Sequence, residues 1–199
     1  MQSDQRIPNL AESIRETLTV ANRLKQEPIV IGNFSFSLMG IPIFTQDVDL
    51  FLFEGEAHAI DLAAECCLAG FLPRKEFVFR HPHQGFIQLH HRQKKGDLIQ
   101  VDIMFPIGKD ALWDSLNKHS VPEFNPDWKV RYRKPAMEDI ILLKSFAGRN
   151  KDFLAIATLV TDVPDRINIS RINAVLEKSK IIPSEHERKL RELLAEIKG

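Results

Sequence analysis

The sequence of 199 residues lacks the features that mark several classes of protein. Its only two cysteines, Cys66 and Cys67, are neighbours in the chain and therefore cannot build a disulfide framework. No apolar run approaches the ~18 residues that a membrane-spanning helix needs, and no apolar stretch follows a positively charged start as in a secretory signal. These absences predict a cytoplasmic protein of a reducing compartment that has no membrane partner.

An excess of charge of either sign is also missing, because 27 Lys and Arg residues balance 27 Asp and Glu residues. This balance argues against a nonspecific polybasic binder of nucleic acid. The distribution is nevertheless uneven, since no Lys or Arg occurs between Lys25 and Arg74, whereas residues 129–151 carry many basic side chains. An acidic wall that faces a basic wall would suit a metal-bound polyphosphate, and two solvated faces would explain the pattern equally well.

The order of the patterns predicts an α+β protein whose small mixed sheet is flanked by helices. Helical spacing of apolar residues occurs at 9–25 and 56–70, and short β-rich runs occur at 28–32 and 48–53. Between the last two runs, we expect the chain to turn through Asn33, Ser35 and Ser37 and to continue after Gly40 in a loop with Pro42. Three β-rich runs over 75–105 predict a meander, and a short helix is expected at 109–116. From Pro135 onward the sequence shows helical patterns and helix-terminus signals. We therefore predict an α+β core at 1–134 and a helical part at 135–199 packed on it.

Three aspartates carry the chemistry that the sequence suggests. Asp47 and Asp49 open a predicted strand, and residues i and i+2 of a strand point to the same face, about 6.7 Å apart. Asp102 lies between the apolar residues Val101 and Ile103, so its side chain points away from theirs and needs a polar partner. A shared divalent cation would be such a partner, because Mg²⁺ prefers oxygen ligands from carboxylates and phosphates.

The spacing of these residues resembles the DNA polymerase β-type nucleotidyltransferase superfamily. That family has an apolar residue, a glycine and a Gly or Ser, followed by an Asp-x-Asp pair and a later strand acid. Here the matching segments are Ile31-Gly32-Asn33, Asp47-Val48-Asp49 and Val101-Asp102-Ile103. The match looks closest to bacterial AbiEii toxin-like nucleotidyltransferases, whose Thr-x-Asp-x-Asp start is matched by Thr45. The resemblance covers about residues 28–155.

This resemblance implies a Mg²⁺- or Mn²⁺-dependent enzyme that moves NMP from an NTP such as ATP to a hydroxyl of an RNA or protein acceptor. Catalysis and metal binding would fall to Asp47, Asp49 and Asp102. The nucleotide would be held by further residues that the resemblance maps onto the pocket: Gly32, Asn33, Ser35, Lys144, Arg149 and Asp152. A toxin-like role of the type IV toxin–antitoxin kind would add tRNA or a protein as acceptor and a cognate antitoxin as partner.

Two other functions stay open at the level of sequence. Asn33 stands where the family has Gly or Ser, which favours a noncatalytic module that keeps the fold and binds a nucleotide or a partner. Transfer to a small hydroxylated molecule of the aminoglycoside type is the second alternative. The four histidines of the predicted meander, His81, His83, His90 and His91, match no zinc spacing. They could line a nucleotide or RNA groove, and a polar hairpin is the simpler interpretation.

Overall fold

The computed structural model describes residues 7–43, 45–93 and 97–198. The chain divides into two compact units, of which the first comprises Met1–Gly108 and Val121–Lys134 and the second Lys109–Ser120 and Pro135–Gly199. The sequence-based division into domains at 1–134 and 135–199 stays a prediction. Among the helices in the described part of the chain, none combines the length and the apolar character of a membrane span.

A seven-stranded mixed sheet forms the centre of the first unit. Its strands are β1 (Ile29–Ile31), β2 (Asp47–Phe51), β3 (Leu72–His81), β4 (Gln84–Arg92), β5 (Leu98–Pro106), β6 (Val121–Asn125) and β7 (Val130–Lys134). Their order across the sheet is β3-β4-β5-β2-β1-β7-β6. The pairs β2–β5 and β1–β7 are parallel, and the other pairs are antiparallel. The predicted meander is confirmed as β3, β4 and β5.

One face of this sheet builds the core together with two helices of the unit. Helices α1 (Ile7–Arg23) and α3 (Glu56–Leu68) pack on it, and α2 (Gly32–Leu38) packs against β1 and β2. Strand residues that alternate along the sequence, among them Val48, Leu50, Val101 and Ile103, are completely buried in this core. Because neighbours in a strand point to opposite faces, the residues between them must lie on the other face.

The second unit is helical, as the sequence predicts. It contains α4 (Ala111–His119), α5 (Met137–Ala147), α6 (Asn150–Asp162), α7 (Ile169–Leu176) and α8 (Ser184–Ala195). Helix α5 ends at Gly148, which has a left-handed backbone with φ of 66° and so provides the usual glycine C-cap. The predicted fold class, a mixed sheet flanked by helices with a C-terminal helical part, is confirmed.

One local prediction is wrong, and one pair of strands was not predicted. Residues 32–38 form helix α2 rather than the predicted turn, because Phe36 is completely buried and the buried Ser35 hydroxyl donates to the Gly32 carbonyl oxygen at 2.7 Å. These contacts outweigh the low helix propensity of Gly, Asn and Ser. The sequence analysis predicted no strand over residues 121–134, whereas the structure has the antiparallel hairpin of β6 and β7 there.

Candidate active site

Strand pairing brings the three predicted aspartates to one face of the sheet. The parallel register of β2 and β5 pairs Asp49 with Asp102 and Asp47 with Gln100. Paired residues on adjacent strands point to the same face, and Asp47 lies two residues from Asp49 on the same strand. Asp47 and Asp49 are half-buried, and Asp102 is 9% exposed. All three carboxylates therefore occupy the face opposite the core formed by Val48, Leu50 and their neighbours.

Gly32 lies directly against the Asp49 carboxylate. Strand β1 pairs Ile31 with Asp49, so the first residue of α2 follows immediately beside that side chain. A Cβ atom at Gly32 would come within 1.9 Å of Asp49 Oδ2, and the backbone φ of Gly32 is +66°. Both the space and the backbone angle require glycine here, since other residues rarely adopt such an angle. The glycine of the sequence pattern is thus explained by its contact with an aspartate of that pattern.

Two glutamine amides hold the Asp102 carboxylate. Gln88 Nε2 donates to Oδ1 at 2.8 Å, and Gln100 Nε2 donates to Oδ2 at 2.9 Å. Arg74 in turn donates a hydrogen bond to Gln88 Oε1, which fixes the orientation of that amide. Sequence analysis missed these three residues. Of the three, Gln100 could have been predicted from the sequence, because it precedes Asp102 by two positions in the same strand and must share its face.

Asp47 is oriented by the hydroxyl group of a threonine two residues earlier in the chain. Thr45 Oγ1 donates to Asp47 Oδ1 at 2.8 Å and lies 3.1 Å from the Asp47 carbonyl oxygen. A side chain held in this way loses little further freedom when it binds a ligand. The threonine in the sequence pattern therefore has a physical role beside the aspartate pair.

The other predicted residues of the first unit lie on α2. Asn33 occupies the first turn of the helix and is half-buried, whereas Ser35 is completely buried. The Ser35 hydroxyl donates to the Gly32 carbonyl oxygen and so stabilises the turn that carries Gly32. Direct nucleotide binding by Asn33 and Ser35 stays a prediction.

Lys144, Arg149 and Asp152 form a group of their own in the second unit. Asp152 is 2% exposed and accepts from Arg149 Nε at 2.6 Å, and Lys144 Nζ lies 3.4 Å from its other carboxylate oxygen. Burial by itself would raise the pKa of Asp152. The hydrogen bond from Arg149 and the charges of Lys144 and Arg149 outweigh that effect and lower the pKa below its usual value. A role of these residues in nucleotide binding stays a prediction.

A second ionic group joins three helices of the same unit. Arg171 on α7 pairs with Glu138 Oε2 at 2.9 Å and also with Asp139, and both acids belong to α5. Ser115 on α4 donates to the other oxygen of the completely buried Asp139 at 2.6 Å. Both carboxylate oxygens of Asp139 therefore accept a hydrogen bond, which is the condition under which a buried charge is tolerated.

Two of the predicted histidines, His90 and His91, lie on opposite faces of β4. His91 is buried on the core side, where its Nδ1 lies 2.9 Å from Ser13 Oγ and its Nε2 lies 2.8 Å from Glu16 Oε2. The order of hydroxyl, imidazole and carboxylate is that of a hydrolase triad. Ser13 is completely buried, however, so a substrate cannot reach it and the cluster joins α1 to β4. His90 lies on the opposite face, in register with Gln100.

The donor atoms of the candidate site fit a hard divalent cation. In the part of the chain that the structure describes, no three His, Cys, Asp or Glu side chains form a ready metal centre. The groups on the carboxylate face are nevertheless oxygen donors from Asp47, Asp49 and Asp102, which is the ligand type that Mg²⁺ and Mn²⁺ prefer. Each carboxylate oxygen has two acceptor positions, so an amide on each oxygen of Asp102 is compatible with metal binding.

Comparisons with known proteins identify the fold. No protein-family model matches the chain, and no curated protein matches its sequence. Among solved structures, a candidate nucleotidyltransferase from Helicobacter pylori is 12% identical, with a TM-score of 0.53 over 98% of this chain and 94% of its own. An antigenic nucleotidyltransferase-like protein from Paracoccidioides brasiliensis is 16% identical, with a TM-score of 0.53 over 95% and 92%. A candidate nucleotidyltransferase from Thermotoga maritima is 17% identical, with a TM-score of 0.52 over 78% and 94%. The chain thus has a nucleotidyltransferase fold, as predicted.

Proposed function

We propose that the protein is a nucleotidyltransferase that transfers NMP from an NTP to an acceptor hydroxyl. One observation carries this proposal, namely the in-register pairing of Asp49 with Asp102 beside Gly32, with Asp47 on the same face. The fold shared with nucleotidyltransferase-like proteins supports the same reaction. At these identities the fold alone is shared, so the reaction is inferred from the carboxylates.

The aspartates would hold Mg²⁺ or Mn²⁺, which supplies positive charge against the phosphate oxygens. The chain itself supplies the proton acceptor. Asp102, held by Gln88 and Gln100, takes the proton of the acceptor hydroxyl, and the acceptor oxygen then forms a bond to the α-phosphorus. The bond from the α-phosphorus to the bridging oxygen breaks, and pyrophosphate leaves with its electron pair. Two amide donors keep the carboxylate in the orientation that this transfer needs.

Gly32 and Asn33 are our candidates for contact with the triphosphate. A first turn that begins with glycine lets a phosphate approach the backbone N–H groups, because no side chain stands in the way. Gly32 also borders Asp49, so a nucleotide there would lie beside the carboxylates of β2. We propose Lys144 and Arg149 as cations for the leaving pyrophosphate, and for them sequence resemblance is the only support.

The acceptor and the biological role are finer proposals. We propose a toxin-like enzyme of the AbiEii kind that modifies an RNA or a protein and has a cognate antitoxin. The hydrogen bond from Thr45 to Asp47 supports this choice, because it gives a structural role to the threonine that the motif shares. Transfer to a small hydroxylated molecule is the other reaction that the same carboxylates could catalyse.

A labelling experiment tests the reaction. The full-length protein is incubated with Mg²⁺, each α-³²P-labelled NTP in turn, and either total tRNA or a cell lysate. We expect label on a macromolecule with the wild type and none with the Asp47→Asn/Asp49→Asn double variant. The matched control is Asp61→Asn, which removes an exposed acid from α3 and should label like the wild type. Labelling by the double variant would refute the assignment of these aspartates.

The second candidate function is a noncatalytic nucleotide-binding module, which Asn33 favours. Under this hypothesis the protein binds NTP in the presence of Mg²⁺ without transferring it. Asn33→Gly and Asn33→Ser distinguish the two candidates, since either substitution restores the residue of the sequence pattern. Labelling that exists only in these variants would show that the natural chain is a binding module. Equal labelling by wild type and variants would exclude that hypothesis.

A further inference from the structure

The carboxylate face of the sheet continues past Asp102 onto β4 and β3. Residues of β4 that alternate with the buried Ile87 and Leu89 lie on this face, and register places Gln88 opposite Asp102 and Phe86 opposite Met104. On β3, Phe79 is in register with Phe86, and the hydrogen bond to Gln88 places Arg74 on the same side. We call the group formed by Arg74, Phe79, Phe86, His90 and Arg92 the meander surface.

The two phenylalanines of the meander surface form a stacked pair. Their ring centroids are 4.8 Å apart with an interplanar angle of 12°, and both side chains are half-buried. The guanidinium of Arg74 lies 5.8 Å from the Phe79 centroid, in the position of a cation–π contact. Core aromatic residues such as Phe105 are by contrast completely or almost completely buried. The ring pair is therefore partly accessible and has a cation beside it.

Basic side chains lie further along the same face. Arg74 and Arg92 are exposed, and His90 is half-buried. His90 and Arg92 follow Gln88 at alternate positions of β4, so they extend the face toward the end of the sheet where Asp47 lies. Along the strand direction, the aromatic rings therefore lie on one side of Asp102, and His90 and Arg92 lie on the other side. Basic groups combined with aromatic rings on one surface are recurring features of proteins that bind single-stranded nucleic acid.

The order of the strands decides which substrate this surface serves. Strand β5 carries Asp102 and lies between β2, which carries Asp47 and Asp49, and β4. A triphosphate at Gly32 would lie on the β2 side, so the acceptor approaches Asp102 from the β4 side. Phe86 is paired with Met104, which lies two residues from Asp102 on β5, about 6.8 Å along the strand. A nucleotide can span this distance between its base and its ribose hydroxyls.

We infer that the meander surface binds single-stranded RNA and presents a ribose hydroxyl to Asp102. A base stacks on the Phe79–Phe86 pair, and backbone phosphates contact Arg74, His90 and Arg92. This inference rests on the proposed function, because it names the acceptor of that reaction. The ring pair favours RNA over an acidic peptide, because unpaired bases stack on aromatic rings. Arg74 beside the rings and Arg92 further along the face suit the phosphates of the same strand.

Fluorescence anisotropy with a labelled single-stranded RNA, measured without NTP, tests the inference on the full-length protein. Phe86→Leu and Phe79→Leu keep apolar bulk but remove the ring, so we expect Kd to rise about 5- to 150-fold. Phe86→Tyr keeps the ring and should bind like the wild type. The matched control is Phe124→Leu on β6, where a phenylalanine that is 55% exposed lies outside the meander surface. Circular dichroism of each variant verifies that the fold is intact.

Three results would overturn the inference. Unchanged RNA affinity in both leucine variants would show that the rings do not stack on bases. Equal affinity for a blunt RNA duplex would contradict stacking of unpaired bases. Labelling of a protein, equally efficient with Phe86→Leu and Phe86→Tyr, would assign the acceptor to a different class. The Asp47→Asn/Asp49→Asn variant should bind RNA as well as the wild type, so loss of transfer and loss of RNA binding are separate outcomes.

Discussion

Two pairs of aspartates, one pair in each unit, are held by different kinds of partner. In the helical unit, Asp139 is paired with Arg171, and Asp152 is paired with Arg149 and Lys144. On the sheet, Asp102 accepts from two glutamine amides and Asp47 from a threonine hydroxyl. A cation partner cancels the charge of a carboxylate, whereas a neutral donor orients the carboxylate and leaves its charge in place.

We interpret the aspartates that are paired with cations as residues that maintain the fold, and the aspartates held by neutral donors as residues that bind a ligand. A carboxylate that is buried and paired with a cation contributes to the structure chiefly because its removal would strand that cation. Carboxylates gathered on one face raise the electrostatic cost of one another's charge, and a bound cation would lower that cost. We therefore expect substitutions of the three sheet aspartates to change activity, and substitution of Asp139 or Asp152 to change stability.

The largest effect on activity is expected from Asp49→Asn. We predict that label transfer falls by at least about 10³-fold, because the substitution removes a charge that faces the phosphates of the transition state. The melting temperature should stay the same or rise, since one of the like charges on adjacent strands is removed. Transfer rate and thermal unfolding are measured on the same preparation. A large loss of stability in this variant would contradict the expectation that the sheet aspartates act on activity and not on stability.

Asp139→Asn should produce the converse result. The substitution leaves Arg171 with a weaker partner inside the helical unit, and breaking a buried ion pair costs about 3–5 kcal/mol. Urea unfolding measures the loss of the free energy of unfolding. Glu192→Gln is the matched control, because it removes an exposed partner of Arg188 on α8 and should cost less than about 1 kcal/mol. Equal effects of the two substitutions would contradict a structural role for Asp139.

Gly32→Ala should affect both stability and activity. The new Cβ would overlap with the Asp49 carboxylate, and alanine is strained at the left-handed backbone angle of Gly32. Gly40→Ala is the matched control, since Gly40 has a φ of +77° and no heavy atom within 4 Å of its added Cβ. We expect Gly32→Ala to be about 2 kcal/mol less stable than the control and to lose transfer activity. Similar unfolding curves for both variants would show that Asp49 does not press on Gly32.

Gln88→Met should act on the reaction through Asp102. The substitution keeps the length of the side chain but removes the amide donor to Oδ1, so we expect kcat to fall about tenfold with little change in the KM for NTP. Steady-state labelling with a saturating acceptor measures both constants. Thr19→Val, which removes an exposed hydroxyl from α1, is the control for a general effect of lost polar groups. A change confined to KM would argue against orientation of Asp102 by Gln88.

The smallest effect concerns the acid stability of the helical unit. Because the pKa of Asp152 is lowered in the folded state, its ionised form stabilises the protein above the usual pKa, and that contribution is lost as pH falls through the lowered value. Urea unfolding between about pH 2 and about pH 6 should therefore show a shallower acid limb for Asp152→Asn than for the wild type. Parallel curves would mean that Asp152 has the same pKa in both states.

Sequence periodicity predicted the parts of the fold that depend on neighbours in the chain. Asp47 and Asp49 were placed on one face by the period of two, and α5 was predicted from its acidic first turn and from Gly148. The hairpin of β6 and β7 was missed, because β6 contains Pro122 and Asn125 and exposes most of its side chains. Such a segment has no alternation of apolar and polar residues from which a strand could be predicted.

The assembly of the candidate site depends on pairings that no local pattern encodes. The position of Asp102 beside Asp49 follows from the parallel pairing of β2 with β5, which are separated in sequence by α3, β3 and β4. The amide of Gln88 reaches Asp102 only through the antiparallel register of β4 with β5. A glutamine between two buried apolar residues signals only that its face is polar, and it does not identify the partner.

The register of β2 with β5 has a consequence for how errors in folding would be expressed. Val48 and Leu50 belong to the core on one side of β2, while Asp47 and Asp49 stand on the other. Shifting either strand by a single residue would exchange the two sides and force carboxylates among apolar groups. An error of one residue in register would therefore disrupt the interior and the alignment of the acids together, so a chain with that error would be unstable as well as inactive.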